Sequence, residues 1–351
     1  MDLSRVEKIA NAVLYEGYIL YPYRPSAIKN QQRWNFGVLS PESLSKSQGG
    51  SDAWRMQTQC LVQVADEGNL DLKVRFLQLV SRAVGEFVPS TERSGAEFDY
   101  QLVDQLKVDE KIFRPWQEAV EREVDVTGLK LHRLGEEKVQ RSFSFPSTTA
   151  NEVIRNFNND CTGVLIRTQE EVRGVIEVSS EKRQGVFLLT VSIINTTGAS
   201  VENCQNRDQA LMRSLVSVHT ILSVSKGKFV SLIDPPDELI SAAAACVNVG
   251  TWPVMVGEEG QENMMLSSPI ILYDYPQVAA ESPGDLCDGT ETDELLTLCI
   301  MALSDEEKRE MRNGDEHARA ILARTEILPA EQLAKMHGAI RGLRRVETKK
   351  A

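Results

Sequence analysis

Residues 163–197 restrict the fold more than any other part of the chain. The runs 163–167, 172–179 and 186–195 are dense in Val, Ile, Leu and Thr. Branched side chains of this kind suit a pleated, half-buried surface. Only Gln169-Glu170-Glu171 and the polar stretch 181–185 separate the runs. Connections this short cannot hold the crossovers that parallel strands require, so the spacing predicts an antiparallel meander.

The rest of the chain is assigned around that meander. Val6, Ile9, Ala10, Val13 and Leu14 have helical spacing and predict a helix over 5–16. Residues 17–23, 54–64 and 70–80 have strand character, the last two joined by a hairpin turn at Asp66-Glu67-Gly68-Asn69. Residues 89–111 are polar and acidic and predict a surface excursion. Pro115 opens an expected helix over 116–124, where its missing N–H is harmless. Residues 129–134 and 142–145 are expected to be extended. Ala210, Leu211, Ser214, Leu215 and Val218 predict a helix over 207–218. A second hairpin is expected at Ser225-Lys226-Gly227-Lys228, between 220–224 and 229–233. A helix over 238–246 and a short strand over 270–273 follow.

Ser282-Pro283-Gly284-Asp285 is a linker-like turn, and beyond it the pattern is helical over 291–302, 316–325 and 330–343. Ser304 and Glu307 form a capping box for one more helix, which stops at Asn313-Gly314. The expected architecture is α+β: an antiparallel sheet body with flanking helices over 1–283 and a helical C-terminal segment over 284–351.

Charge bears on function. Lys and Arg number 39 against 51 Asp and Glu, a net charge of −12. Proteins that grip nucleic acid nonspecifically, or an anionic membrane, neutralise phosphates with Lys and Arg, so neither partner is expected. The first residues mix acids into the apolar positions and no small-residue cleavage site follows, so no secretory signal is expected. The most apolar run, 210–224, is short and interrupted by Arg213 and His219. Six scattered cysteines with no CxxC fit reduced thiols in a cytoplasmic protein. Phosphate loops, dinucleotide fingerprints, nucleophile elbows and HExxH are absent from the sequence, and four scattered histidines give no metal-ligand spacing. No cofactor and no metal are expected.

One segment departs from the acidic background. Between Gly17 and Pro41 there is no acid, while Tyr18, Tyr21, Tyr23, Trp34 and Phe36 alternate with Arg24, Lys29 and Arg33. Aromatic faces interleaved with cations suit an anionic or planar ligand, or an interface hot spot. The same residues could instead form a structural loop with inward aromatics and snorkelling stems. The candidate binding residues are Tyr21, Tyr23, Arg24, Lys29, Arg33, Trp34 and Phe36. The acids Asp285, Asp288, Glu291, Asp293 and Glu294 miss the EF-hand spacing and suit a helix start. Cys60, Cys246 and His219 fit packed positions better than chemistry, because no base or ligand partner is suggested by spacing. The basic residues from Lys335 onward suit a solvated tail or an acidic partner.

Several segments together resemble a known family: VLYEGYILYPYRPSAIKNQQRWNFGVL, SDAWRMQTQCLV, SLIDPPDELISAAAACVNVGTWPVMVG and SPIILYDYPQVAAESPGDLCDGTETDELLTLCIMALSDEEKREMR. This is an uncharacterised bacterial family encoded in gene clusters of high-affinity, oxygen-tolerant nickel–iron hydrogenases. The resemblance runs in order over most of the chain. Where the family has Glu before the cysteine of the MQT-C segment, this chain has Gln59, so no Cys/Glu pair is implied there. The resemblance implies a cytoplasmic accessory or assembly protein that binds a hydrogenase subunit or maturation factor. It names no reaction. The alternative is a hydrolase or ligand-processing maturation enzyme with an anion site at Arg24, Lys29 and Arg33. An antiparallel meander does not fit the doubly wound fold of the hydrogenase-processing endopeptidase.

Overall fold

The structure, a computed structural model, describes residues 4–16, 35–47, 53–64, 68–88, 99–109, 111–183, 185–199, 204, 206–277, 297–298, 300–312 and 316–329. The described residues through Pro276 form one compact unit, and those from Gln277 a second. The first begins with helices α1 (Ser4–Glu16) and α2 (Glu42–Ser47) and strands β1 (Arg55–Val64) and β2 (Leu70–Phe87). Strands β3 (Tyr100–Leu102), β4 (Leu106–Val108), β5 (Lys111–Phe113) and β6 (Trp116–Leu129) follow. Then come helix α3 (Leu131–Leu134) and strands β7 (Val139–Phe145), β8 (Thr148–Arg155), β9 (Cys161–Gln169), β10 (Val172–Arg183) and β11 (Val186–Asn195). The unit ends with α4 (Arg207–Leu211), β12 (Val216–Val224), β13 (Gly227–Val230), α5 (Ile240–Ala244), β14 (Trp252–Met255) and β15 (Met264–Ser268).

Antiparallel sheet dominates. One sheet has the order β13-β1-β11-β10-β7; the other runs β14-β15-β12-β2-β9-β8, with β3 and β6 also paired to β2. Strand alternation builds one core between them. Met56, Cys60 and Val62 of β1, Ile176 and Val178 of β10, and Leu189, Val191 and Ile193 of β11 meet Leu72, Val74 and Phe76 of β2 and Val218 and Leu222 of β12. Past Phe76 the other face of β2 is buried too. Leu77 and Leu79 pack with Leu14 of α1, Leu211 and Val216. The apolar stripe of α1 (Val6, Ile9, Ala10, Val13, Leu14) is buried, as its spacing requires.

Two bent ribbons tie the sheets together. In the first, β1 pairs with β13 down to Val64↔Gly227, and β2 resumes against β12 at Leu70↔Val224. In the second, β7 pairs with β10 at Phe145↔Val172 and β8 with β9 at Thr148↔Gln169. In the second ribbon both chains turn the corner side by side from one sheet into the other.

These corners correct several expectations. The hairpins expected at 66–69 and 225–228 are not formed, because β1 and β2, like β12 and β13, belong to different sheets; Asp66 and Glu67 themselves lie outside the described residues. The expected meander breaks in the same way: β10 and β11 pair, but β9 pairs with β2 and β8. The helix expected over 116–124 is strand β6, held against β2 along most of its length. Residues 131–134 are a helical turn rather than extended chain. The helix expected over 207–218 stops at Leu211, and β12 starts at Val216. The strand expected over 270–273 lies instead at 264–268. Within 99–113, three short strands replace part of the expected surface excursion. The strand expected over 17–23 lies outside the described residues.

Glycine matters most at Gly163, where β9 runs beside β2. A Cβ there would press on the Gly85 carbonyl oxygen and a Leu106 methyl. The carbonyl belongs to the ladder and cannot swing aside. Gly163→Ala should therefore destabilise the protein by about 1–3 kcal/mol, the usual range for overpacking. Urea unfolding checks this, and a change within about 0.5 kcal/mol, as at an ordinary surface site, would contradict it.

The second unit contains helices Asp305–Arg312 and Glu316–Glu326. The expected capping box is present: the Ser304 N–H donates to Glu307 Oε2 at 2.6 Å and the Glu307 N–H to Ser304 Oγ at 3.3 Å. The helix expected over 330–343 lies outside the described residues. Among those described, no helix is long and apolar enough to cross a membrane.

Candidate functional site

Of the candidate binding residues, Tyr21, Tyr23, Arg24, Lys29, Arg33 and Trp34 lie outside the described residues, as do the acids of 285–294 and the basic tail. Phe36 is described, and its backbone is held firmly. The Ser217 N–H donates to the Phe36 carbonyl at 3.0 Å, and the Val218 N–H to that of Gly37 at 3.1 Å. The acceptors dock on a bulge: the β12–β2 register shifts between Val216 and His219, and Ser217 has φ +56°. Gly37 itself has φ +55°, and a Cβ there would run into Pro269. Phe36 as a residue is 44% exposed.

Phe36 has apolar company. Pro269, packed at Gly37, follows Ser268, the register partner of Trp252. Trp252 is 43% exposed, and Ile271 and Tyr273, just beyond Pro269, are 73% and 60% exposed. Val249, bridged to Gln57 of β1, is also exposed. The backbone thus brings four large apolar side chains to the β14–β15 edge and its following loop, and a fifth along β1. Sequence reasoning found only Phe36. The others sit in short apolar stretches that look like core.

Beneath α1 lies a buried polar cluster. His219 and Arg75 are register partners on neighbouring strands, both buried. His219 Nδ1 is 2.9 Å from the Ser217 carbonyl oxygen, which can only accept, so Nδ1 carries the proton and Nε2 the lone pair. Nε2 has no hydrogen-bond partner among the described residues. Burial, with a smaller contribution from Arg75, lowers the His219 pKa to about 4. Arg75 Nη2 donates to Glu121 Oε2 at 3.1 Å; its Nε lies 2.9 Å from Glu123 Oε1, close enough to pair but not aligned as a hydrogen bond. Lys73 also pairs with Glu123, at 2.9 Å. A neutral imidazole sealed beside a buried guanidinium is poorly placed to shuttle protons with solvent.

The cysteines are similarly enclosed. Cys60 is fully buried in the main core, and burial pushes its thiol up, helped by the nearby Cys246. Cys246 is half-buried and shifts in the same direction. Neither thiol is activated as a nucleophile. No group of His, Cys, Asp and Glu among the described residues could hold a metal ion.

The opposite face of β6 and β2 carries a row of guanidinium groups. Arg82 pairs with Glu118 at 2.9 Å; Arg167 pairs with Glu118 at 2.8 Å and Glu152 at 2.7 Å. Arg213 pairs with Glu170 at 2.8 Å. Arg122 differs. Its Nε donates to Gln78 Oε1 at 2.8 Å and its Nη2 to Gln169 Oε1 at 3.0 Å, and its guanidinium lies 4.7 Å from the Phe145 ring centre. No family model matches this chain, and no curated protein matches it.

Proposed function

We propose that this chain is a cytoplasmic accessory or assembly protein for a nickel–iron hydrogenase, acting by protein binding rather than catalysis. In this reading the partner is a hydrogenase subunit or a maturation factor, a choice that rests on the family resemblance. On the same reading the α+β body with its flanking helices presents the binding surface.

The observation that supports the reading is the apolar set Phe36, Val249, Trp252, Ile271 and Tyr273, exposed on backbone fixed by a sheet edge and a bulge. Exposed large apolar side chains gathered in one region mark interaction sites, and aromatic anchors carry a large share of interface energy. Phe36 also continues the aromatic and basic segment that ends beside it.

Affinity purification of the tagged protein from cells expressing the hydrogenase cluster, read by mass spectrometry, tests the reading. Recovery of an unprocessed large subunit or a maturation factor is the expected result. Trp252→Ala and Phe36→Ala should each cut that recovery about tenfold or more, the loss typical of a hot-spot residue, without changing thermal unfolding appreciably. Alanine at Arg24, Arg33 and Trp34 extends the map. Recovery of the protein alone from a lysate rich in hydrogenase, or undiminished recovery by both aromatic variants, would sink the proposal.

A further inference from the structure

Arg122 stands out on charge grounds. Each of the neighbouring guanidinium groups named above has a carboxylate within 2.9 Å, whereas among the described residues the partners of Arg122 are two carboxamides and an aromatic ring. Its place in the strand explains this. Glu121 and Glu123 flank it in sequence, but alternation puts them on the other face of β6, where they pair with Arg75. Burial disfavours the charged form of Arg122, and no acid offsets that effect.

The carboxamides do not neutralise it; they aim it. Gln78 is fully buried, and its Nε2 donates to the Glu170 carbonyl at 2.7 Å, so its Oε1 faces Arg122. Gln169 ends β9 and Phe145 ends β7, so both flank the corner where the second ribbon bends. A guanidinium has five N–H groups. Two are used here, and the other three have no partner among the described residues. Bracing the corner needs only the two donors. The positive charge and the remaining fork exceed that task, and the fork has the planar geometry that takes an oxyanion through paired hydrogen bonds.

We propose that Arg122 is the cationic element of an oxyanion-binding site that takes the carboxylate or phosphate group of a small ligand at the corner formed by β6, β7 and β9. This site is independent of the hydrogenase reading and stands on different residues.

The test is isothermal titration of the full chain with inorganic phosphate and with succinate, at matched ionic strength against chloride. At a net charge of −12 the protein as a whole repels anions, so saturable binding reports a built site. Saturable one-to-one binding of either probe is expected. Phosphate alone would assign the site to phosphate-bearing ligands, succinate alone to carboxylates, and both to the shared oxyanion chemistry. Arg122→Lys keeps the charge but loses the fork and should weaken binding about tenfold; Arg122→Gln should abolish it. If Arg122→Gln does not fold, the Lys variant carries the comparison. Lack of saturable binding of both probes by the unaltered protein overturns the proposal, as does unchanged affinity in Arg122→Lys together with any folded neutral variant.

Discussion

Acidification from pH 6.5 to about 4 is expected to remove about 3 kcal/mol of stability through His219 alone. The sign follows from proton counting. In the unfolded chain the imidazole takes a proton below its ordinary pKa of 6.5, whereas in the folded chain it stays neutral until about pH 4. Between those values the unfolded state binds more protons, so stability is fully present above pH 6.5 and falls as the pH drops. Burial is the dominant opposition to its protonation, whereas the Ser217 carbonyl accepts the Nδ1 proton and favours the charged ring. Arg75 repels the imidazolium, Glu123 favours it, and burial outweighs both. Glu123 adds a separate loss at lower pH. Burial alone would raise its pKa, but Lys73 and Arg75 hold it below the usual carboxylate value of 4.5. Urea midpoints across pH 5.5–6.5, above the range where unfolded carboxylates take up protons, therefore report chiefly on the histidine. His219→Asn should flatten the curve in that window, and an unchanged slope in the variant would falsify this assignment.

Phe76→Ala should cost about 3–5 kcal/mol, the range for truncating a fully buried aromatic side chain. Phe76 is fully buried in the core between the sheets. Its ring centre lies 5.6 Å from that of Phe143 and 5.8 Å from that of Phe145, so truncation removes packing and leaves a void beneath both. Phe143 and Phe145 belong to β7, at the corner of the second ribbon. Denaturant unfolding measures the loss. A cost under about 1 kcal/mol would mean that the two sheets close over the gap, contrary to the rigidity expected of a ribbon pinned at both ends.

The sequence reveals the strands better than their partners. Strands β1, β2, β10 and β11 are visible because apolar alternation and β-branched density coincide there. β6 is misread for a specific reason. Trp116, Val120 and Val124 are four residues apart, a spacing that fits one helix face and also one strand face. Val120, Val124, Val126 and Thr127 favour the strand, and the long ladder with β2 decides it. The corners are misread because a short polar turn looks alike whether it closes a hairpin or carries the chain into another sheet. The difference lies in partners more than a hundred residues away, such as Gly227 opposite Val64.

The candidate sites divide in the same way. Phe36 is visible because it sits in an acid-free aromatic segment. Trp252, Ile271 and Tyr273 are not, because exposure follows from where an edge strand stops. Arg122 is hidden among Glu118, Glu121 and Glu123 on the line of the sequence. Only the pleat separates it from two of those acids, and the pairing of Glu118 with Arg82 and Arg167 takes up the third.

The bent ribbons set an order of events for the newly made chain. Neither sheet has an edge-to-edge partner for β1 until residues beyond 186 have emerged, since β1 pairs only with β11 and β13 among the described residues. Loop closure over that distance must precede every ladder contact of β1, which is the situation in which β-rich chains fold slowly. During that interval β1 has both edges open, and β2, though paired with β6 and β9, lacks β12; such edges invite pairing with other chains. The long-range pairings that complete the two sheets of the finished body therefore also lengthen the time the unfinished chain depends on protection from its neighbours.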